Sequence, residues 1–565
     1  MAYNILGVNI NHNGSAALIS NGELVYFLEE ERLSKEKRDS SPFRVMFEIL
    51  NKYPIDEIVI CGTGEKCEFH QLPFVKETPF ISLARKFNPS VKTRHLNFAH
   101  HTTHASCAFY NSGFDKSIVI VVDGAGSFHE YSPSKSGFEG ESVYLAEYPD
   151  QFTPLLKNYV TTDSGGEINQ NNSIKTKLNF NKNIGIGQAY TAITEYFGGG
   201  CLDGGKTMGL SSYGRYNKNI PNFLKEGKAN PLFFTLIPPA DSIFHPTFSN
   251  TLNQPPLSFN KLTISQEEKD IAWKIQNDSQ ESLKFIIQES INKLQIKKVC
   301  LAGGYILNCV TNYFLKKNFP DVEFYIEPIA NDAGVSIGGA KLAWHKNSQE
   351  TIKRKQTSLY LGPKYSTKQL QKSIKNSNNM FKVYDIKPKN VAKLISENNI
   401  VTIFQGRSEA GPRALGNRSI LYNPTDPNGK DYVNKVKNRE WFRPFAGTVL
   451  LEKAHEYFDM AGLEESPFMM YAMDVWPDKQ EIIKAITHVD GTCRIQTVTE
   501  EQNPHYYKLI QEFEKITGVP ILFNTSFNLA GDPLVETIED ALETMLKSDM
   551  KYMYVPELGY LLEKK

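Results

Sequence analysis

Residues 5–29 read ILGVNINHNGSAALISNGELVYFLE. An apolar run (ILGVNI), a polar loop (NHNG), a second run (SAALI), an Asn21-Gly22 pair and a third run (ELVYFLE) follow in order. Asn-Gly between apolar runs is the strongest short hairpin signal, because the turn it fits needs positive φ. The stretch predicts three consecutive strands with a Gly-containing loop between the first two. His12 precedes Asn13-Gly14 in that loop. There it is either a base facing a cleft or a plain turn residue.

Outward from this hairpin the chain keeps an α/β character. A His-rich segment (95–104) leads into the apolar strand SIVIVVDGAGS, which ends at Asp123. Residues 128–180 are rich in Ser, Asn and Gly and predict hairpins and loops of a substrate-facing insertion. The segments KKVCLAGGYILNCVTNYFLKK and FYIEPIANDAGVSIGGAKLAWH each join an apolar strand, a Gly-rich turn and a helical pattern. Such β-turn-α units aim backbone N–H groups at whatever lies before the helix. The polar, aperiodic stretch 345–358 predicts a boundary. The expected organisation is a domain over 1–345, a linker over 346–357 and a second α/β domain over 358–565. The second domain reads as a helix (390–398), the strand NIVTIF, the Arg motifs, the strand VPILFNTSFN and the helix IEDALETMLKS.

At 565 residues, two or three domains are expected. Lys+Arg and Asp+Glu are both 63, so nothing global advertises nucleic acid or an anionic membrane. The opening residues lack the basic-then-apolar pattern of a secretory signal, and no apolar run reaches about 18 residues. The cysteines at 61, 67, 107, 201, 300, 309 and 493 make no CxxC pair. They read as buried or free thiols, and a cytoplasmic location is the expectation. Oligomeric state is open, with a homodimer as one expectation.

From Ser358 onward there are only six arginines, inside GRSEAGPRALGNRSI, KNREWFRP and HVDGTCRIQ, against about three times as many scattered lysines. Arginine's planar fork suits bidentate binding of phosphate or carboxylate. These motifs predict a site for a densely anionic small molecule, against the plainer reading of ion pairs under Gly/Pro turns. In NFAHHTTHA, His100 and His104 stand four apart and would share one helix face. Asp123 and Asp332 each follow an apolar strand beside Gly. Two His and two Asp suit Fe(II), Mn(II) or Zn(II). An isolated HxxxH, however, is more often a packed or solvated pair than a metal site. GCLDGGKT (200–207) matches the P-loop pattern, but a helical pattern precedes it where a P-loop needs a buried strand, so that reading is rejected. In LAGGYILN, Gly303 and Gly304 permit close approach of a ribose or phosphate, or simply tight helix–strand packing. Lys37 and Arg38 lie in a charge run, EEERLSKEKRD, that also fits a solvated face.

Taken together, NHNGSAALISNGELV, EEERLSKEKRD, HHTTHASCAF, VVDGAGS, GKTMGLSSYG, LAGGYILNCVTN, NDAGVSIGGA, GRSEAGPRALGNRSIL, KNREWFRPFAG, HVDGTCRIQTV and FNTSFNLAGDPLV resemble, in order, the NodU/CmcH family of O-carbamoyltransferases. The resemblance implies an N-terminal actin-like (ASKHA, duplicated RNase H-like) domain followed by a C-terminal YrdC-like α/β domain. It implies that carbamoyl phosphate and ATP, with Mg²⁺, give carbamoyl-adenylate in the second domain. The first domain then moves the carbamoyl group to an acceptor hydroxyl on a sugar, a natural product or a hydroxymethylated pyrimidine, free or in DNA. By motif match, Arg413, Lys437, Arg443, Arg494, Asn524 and Ser526 line the adenylating site. His100, His104, Asp123 and Asp332 match a metal site, often iron; Lys206, Gly303, Gly304 and Asn308 match the adenylate site. His12 and Lys37 match the catalytic positions. Asn13 departs from the Asp often found in the first loop. Competing expectations are a tRNA threonylcarbamoylation-type enzyme and an inactive nucleotide-binding regulator.

Overall fold

The computed structural model describes residues 2–63, 78–132, 135–161, 165–230, 234–237, 245–248, 258–259, 263–377 and 379–565. The chain forms two compact units: Met1–Glu30 with Arg38–Gln356, and Glu31–Lys37 with Thr357–Lys565. The helix Val335–Ser348 runs past residue 345, and the division falls after Gln356, within the polar stretch. Cys67 lies outside the described residues; the six other cysteines are free thiols.

In the first unit one strand order occurs twice. Its first sheet runs Glu23–Glu29, Ser15–Ser20, Asn4–Asn9, Glu57–Cys61, Lys92–His95. The first three strands pair antiparallel and the last two join parallel. The second sheet repeats this with Gln151–Val160, Lys135–Glu147, Lys116–Val122, Lys298–Ala302 and Glu323–Ile326. The Asn21-Gly22 turn forms as the sequence predicts, with both residues at positive φ. The stretch 128–180 differs from its prediction. Its two long strands, Lys135–Glu147 and Gln151–Val160, are integral members of the second sheet. Buried Val143, Tyr144, Leu155 and Tyr159 tie them to the core, which an appended loop insertion would not need.

Each repeat ends in a helix that covers the sheet of the other. Helix His100–Ser112, after the first sheet, packs on Lys116–Val122 and Lys298–Ala302; helix Val335–Ser348, after the second, packs on Asn4–Asn9, Ser15–Ser20 and Glu57–Cys61. Burial on both faces explains why Ile118 to Val122 is an unbroken apolar run with no exposed residue. The two helices also pack on each other, and glycine sets the distance. A Cβ on Gly338 would lie 1.9 Å from the Thr103 carbonyl oxygen. The GVSIGGA sequence is thus a packing surface as well as a turn.

The second unit centres on a nine-stranded mixed sheet. Its order is Phe381–Asp385, Tyr560–Lys564, Tyr552–Val555, Val401–Phe404, Arg418–Tyr422, Ile521–Ser526, Ala446–Leu450, Thr492–Val498, Ala472–Asp474. The helices Pro388–Ser396 and Ile538–Leu546 and the strands Val401–Phe404 and Ile521–Ser526 fall within a few residues of their sequence positions. Among the described residues, no helix is long and apolar enough to cross a membrane.

Candidate metal centre and anion site

The twofold repeat explains how distant residues meet. His100 and His104 lie on the first turns of the helix closing the first repeat; Asp332 lies just before the helix closing the second. Asp123 follows the first strand of the second repeat, and His12 follows the first strand of the first. Donor atoms from His100, His104, Asp123 and Asp332 all fall within 4.8 Å of one another, and all four residues are buried. His104 Nε2 is 3.2 Å from His100 Nε2 and 3.6 Å from Asp332 Oδ1. His100 Nε2 is 3.2 Å from Asp123 Oδ2 and 3.7 Å from Asp332 Oδ1.

Donors bound at about 2.1 Å to one ion stand roughly 3.0–3.4 Å apart, close to these separations. Two buried carboxylates facing two imidazoles also leave negative charge that a divalent cation would neutralise. Burial alone would raise both carboxyls. His100 and His104 outweigh it at Asp123, which falls well below the ordinary range, and His12 and His100 lower Asp332. Burial alone would lower His104, yet hydrogen bonds to Asp123 and Asp332 raise it to about 9. The residues fit a divalent metal with mixed N/O ligands.

His12 stands beside this cluster. Its Nε2 is 3.4 Å from Asp332 Oδ2 and its Nδ1 is 3.2 Å from Asn13 Oδ1. Asn13 takes φ 58°, a left-handed conformation that Asn tolerates well. Gly304 N donates to Asp123 Oδ1 at 2.9 Å, joining the Gly303-Gly304 turn to the same centre. Gly303 needs φ 94°, and a Cβ there would meet the Val122 carbonyl oxygen at 2.3 Å. Asn308 caps the next helix through Thr311 N and donates to Gln276 Oε1 at 2.8 Å. Lys206 Nζ is 3.3 Å from Asp203 Oδ2 and lies over the Phe259 ring. Its helix, Gly204–Ser211, follows the helix Ile186–Tyr196, so GCLDGGKT has no strand before it. Cys309 Sγ lies 3.9 Å from Met208 Sδ, which puts that helix against the Gly303–Asn308 turn.

The second unit gathers cations. Lys437 is buried, and its Nζ donates to Asn528 O and Asn528 Oδ1, both at 2.9 Å, and to Ser526 O. Burial, then Arg439, Arg443 and Lys37, push its ammonium well below the usual lysine range. Burial, Arg443 and Arg494 depress Arg439 in the same way. Sheet register completes the group: Ala446 faces Arg494 on one side and Asn524 on the other. Asn524 Nδ2 donates to Ala414 O at 3.3 Å, docking the loop that carries Arg413. Asn524 Oδ1 and Arg494 Nε are buried with no hydrogen-bond partner among the described residues. Like charges packed this closely, with polar atoms left unpaired, are what a bound polyanion would satisfy.

Lys37 belongs to the segment Glu31–Lys37, which packs with the second unit through Arg32 Nη2 to Gly411 O at 2.8 Å and Lys35 to Asp540. That contact spans some 380 residues, and local sequence gives no sign of it. One sequence expectation needs correction: not all six arginines serve the anion site. Arg407 donates to Gly362 O at 2.8 Å and to Leu361 O, and Arg418 is wholly buried on the Phe404 ring, donating to Asn417 O and Gln405 O. Both forks hold backbone carbonyls. Conversely, Arg439 and Asn528 join the cluster without having been singled out. Arg439 sits in the quoted KNREWFRP motif, stacked over Phe445 at 4.9 Å, so the arginine rule itself pointed to it.

The fold and sites thus define a mixed α/β chain with a buried His/Asp donor cluster in one unit and a desolvated cationic cluster in the other. Residues 80–341 match the family described as Carbamoyltransferase N-terminus, and residues 392–564 match Carbamoyltransferase C-terminus. The chain is similar to Nodulation protein NolNO of Sinorhizobium fredii, 29% identical over 98% of this chain and 79% of that one. It is similar to Nodulation protein NolO of Bradyrhizobium diazoefficiens, 30% identical over 81% of this chain and 77% of that one. Comparison with full-length HypF in its phosphate- and nucleotide-bound form gives a TM-score of 0.36 at 12% identity, over 61% of this chain and 56% of that one. A likeness at that level adds nothing to the topology described above. The chain belongs to the carbamoyltransferase family and is a carbamoyltransferase.

Proposed function

We propose that this carbamoyltransferase is ATP-dependent and acts on an acceptor hydroxyl by way of carbamoyl-adenylate. The observation that carries the reading is the cluster of Lys437, Arg439, Arg443 and Lys37, in which burial and the neighbouring cations push Lys437 and Arg439 well below their ordinary ranges. ATP and carbamoyl phosphate together bring four phosphate groups, and such a polyanion would relieve that repulsion. In this reading Arg413, Arg443 and Arg494 grip phosphate oxygens, Lys437 and Ser526 hold the carbamoyl phosphate end, and Asn524 Oδ1 accepts from the carbamoyl NH₂. Mg²⁺ would arrive with ATP. One water is consumed: it releases phosphate from carbamoyl phosphate, and an oxygen of the carbamate so formed attacks the α-phosphorus of ATP and displaces pyrophosphate, so the products are carbamoyl-adenylate, phosphate and pyrophosphate.

The transfer step belongs to the first unit, whose repeated strand order supports an actin-like (ASKHA) assignment. The YrdC-like assignment of the second unit rests on the motif resemblance. Lys206, the Gly303-Gly304 backbone and Asn308 would seat the adenylate. His12 would take the proton from the acceptor hydroxyl as it attacks the carbamoyl carbon, and Asp332 beside it would stabilise the imidazolium formed. A divalent metal, Fe²⁺ by the family resemblance, held by His100, His104, Asp123 and Asp332, would polarise the adenylate phosphate as AMP leaves. The acceptor is proposed to be a sugar or natural-product hydroxyl, or a hydroxymethylated pyrimidine.

The test is pyrophosphate release from ATP, Mg²⁺ and carbamoyl phosphate, with Arg443→Ala alongside. Release that requires carbamoyl phosphate and disappears in the variant supports the adenylate route. Absence of release from the folded, metal-loaded wild type, with candidate acceptors present, rules that route out.

A further inference from the structure

Helix His100–Ser112 has no side-chain cap of its own at Ala99, yet it must present two imidazoles to one point. A carboxylate from the second sheet meets its first turn's backbone. Glu139 is wholly buried, and its Oε2 accepts from Ser127 N at 3.1 Å and from His101 N at 3.5 Å. Its backbone pairs with the same loop, Gly126 N to Glu139 O at 2.8 Å and Glu139 N to Ser127 O at 3.1 Å. Ser127 Oγ in turn donates to Asn97 O at 2.7 Å, just before the helix. One carboxylate therefore grips both the loop that begins at Asp123 and the helix turn that carries His100. On its far side, Oε1 meets Lys157, also buried, with His129 Nε2 at 3.5 Å. A Cβ on Gly126 would lie 2.7 Å from both Glu139 Oε2 and His101 Cδ2, so the loop can approach this closely only with glycine there.

We infer that Glu139, charge-balanced by Lys157, is a positioning residue of the metal centre, fixing His100 relative to Asp123. Its carboxylate partners are His101 N, Ser127 N, Lys157 and His129, none of them a metal donor; it acts through the two chain segments it joins. A carboxylate at a helix N-terminus also satisfies an otherwise orphaned N–H and opposes the positive end of the helix dipole. Supporting groups of this kind, one layer beyond the ligands, typically govern affinity by 10- to 100-fold. The inference rests on reading His100, His104, Asp123 and Asp332 as a metal site.

The experiment titrates Co²⁺ into metal-free full-length chain and follows its visible absorption. Glu139→Gln alone leaves Lys157 buried without its partner and is the variant more prone to misfold. The double variant Glu139→Gln/Lys157→Met removes both charges and keeps the volume. As a control, Lys274→Met/Asp278→Asn removes another buried pair of the first unit, 2.9 Å apart and on a different helix. The expected result is Co²⁺ binding weakened about 10- to 100-fold, with an altered spectrum, in the Glu139/Lys157 double variant. The control keeps wild-type affinity even where it melts lower. Wild-type affinity in the Glu139/Lys157 double variant, or an equal loss in the control, overturns the inference. A wild-type chain that takes up no Co²⁺ removes the metal reading and the inference with it.

Discussion

Two arginines of the second unit, 25 residues apart, are chemically alike and do opposite work, and the contrast is measurable. Arg418 is sealed in the sheet, its guanidinium 3.8 Å from the Phe404 ring centre, with donors to the carbonyls of Gln405, Asn417 and Glu536. Arg418→Ala would leave a cavity and take a donor from three buried carbonyls, so we expect a loss of more than about 3 kcal/mol. A shifted urea midpoint checks it. Arg443 lies 3.5 Å from Glu440 Oε2 but also presses on Lys437 and Arg439, so its removal gives up one partly exposed ion pair, relieves repulsion and deletes a proposed ligand for anions. Arg443→Ala should keep or raise the melting temperature and lose carbamoyl-phosphate-dependent pyrophosphate release. Sequence reading recognised that arginine was used sparingly here. It could not tell a fork that holds carbonyls from one that awaits phosphate, because that depends on which strand ends lie above it. Glu139 was equally hidden: in GFEGESVYLAE its alternation with small and polar residues reads as a solvent face.

The helix Val335–Ser348 shows how an element delivers a site. Gly338 lies against the Thr103 carbonyl, and Gly7 of strand Asn4–Asn9 lies against Ser336, where a Cβ would stand 2.0 Å from the carbonyl oxygen. These two glycines let the helix nest between the strand and helix His100–Ser112, bringing Asp332 to His100 and His104. Gly338→Ala should therefore cost on the order of 1–3 kcal/mol or more by overpacking and should weaken metal uptake, although the methyl group it adds meets backbone and Ser106 rather than a candidate ligand side chain. Denaturation and metal titration of one preparation would show both effects or refute the coupling. The same helix buries Lys341, whose Nζ donates to Asn111 Oδ1 at 2.6 Å. Burial lowers its ammonium from 10.5 to about 8, with Cys107 and Glu327 opposing the fall. Between those two values the unfolded chain binds a proton that the folded chain does not, so stability should rise with pH across that window. Lys341→Met should flatten the rise, as urea midpoints from pH 8 to 10 would reveal. The HxxxH spacing and strand-end aspartates made the donor set legible from sequence. The glycine contacts that bring it together join residues more than 200 apart, and only the twofold strand order makes sense of them.

At the scale of the whole chain, a net charge of zero conceals an uneven placing of buried charge. The first unit concentrates two carboxylates with two imidazoles; the second concentrates desolvated cations, with Lys37 added from a segment that leaves the first unit's sequence to join it. If the proposed chemistry is divided in the same way, the two half-reactions should respond to different losses. Chain stripped with a strong chelator, then returned to Mg²⁺, should still release pyrophosphate when given ATP and carbamoyl phosphate. With a hydroxyl compound that the intact chain carbamoylates, the stripped chain should form product slower by on the order of a hundredfold, because several kcal/mol of charge stabilisation is missing. His104→Ala should reproduce that pattern, whereas Arg443→Ala should stop both steps when started from ATP. Mass spectrometry of the nucleotide pool distinguishes the cases: carbamoyl-adenylate, or AMP without carbamoylated product, marks a block in transfer, and unchanged ATP marks a block in adenylation. Pyrophosphate release that falls in step with product on metal removal would show that the donor cluster also serves the first step, and the division between the units would have to be abandoned.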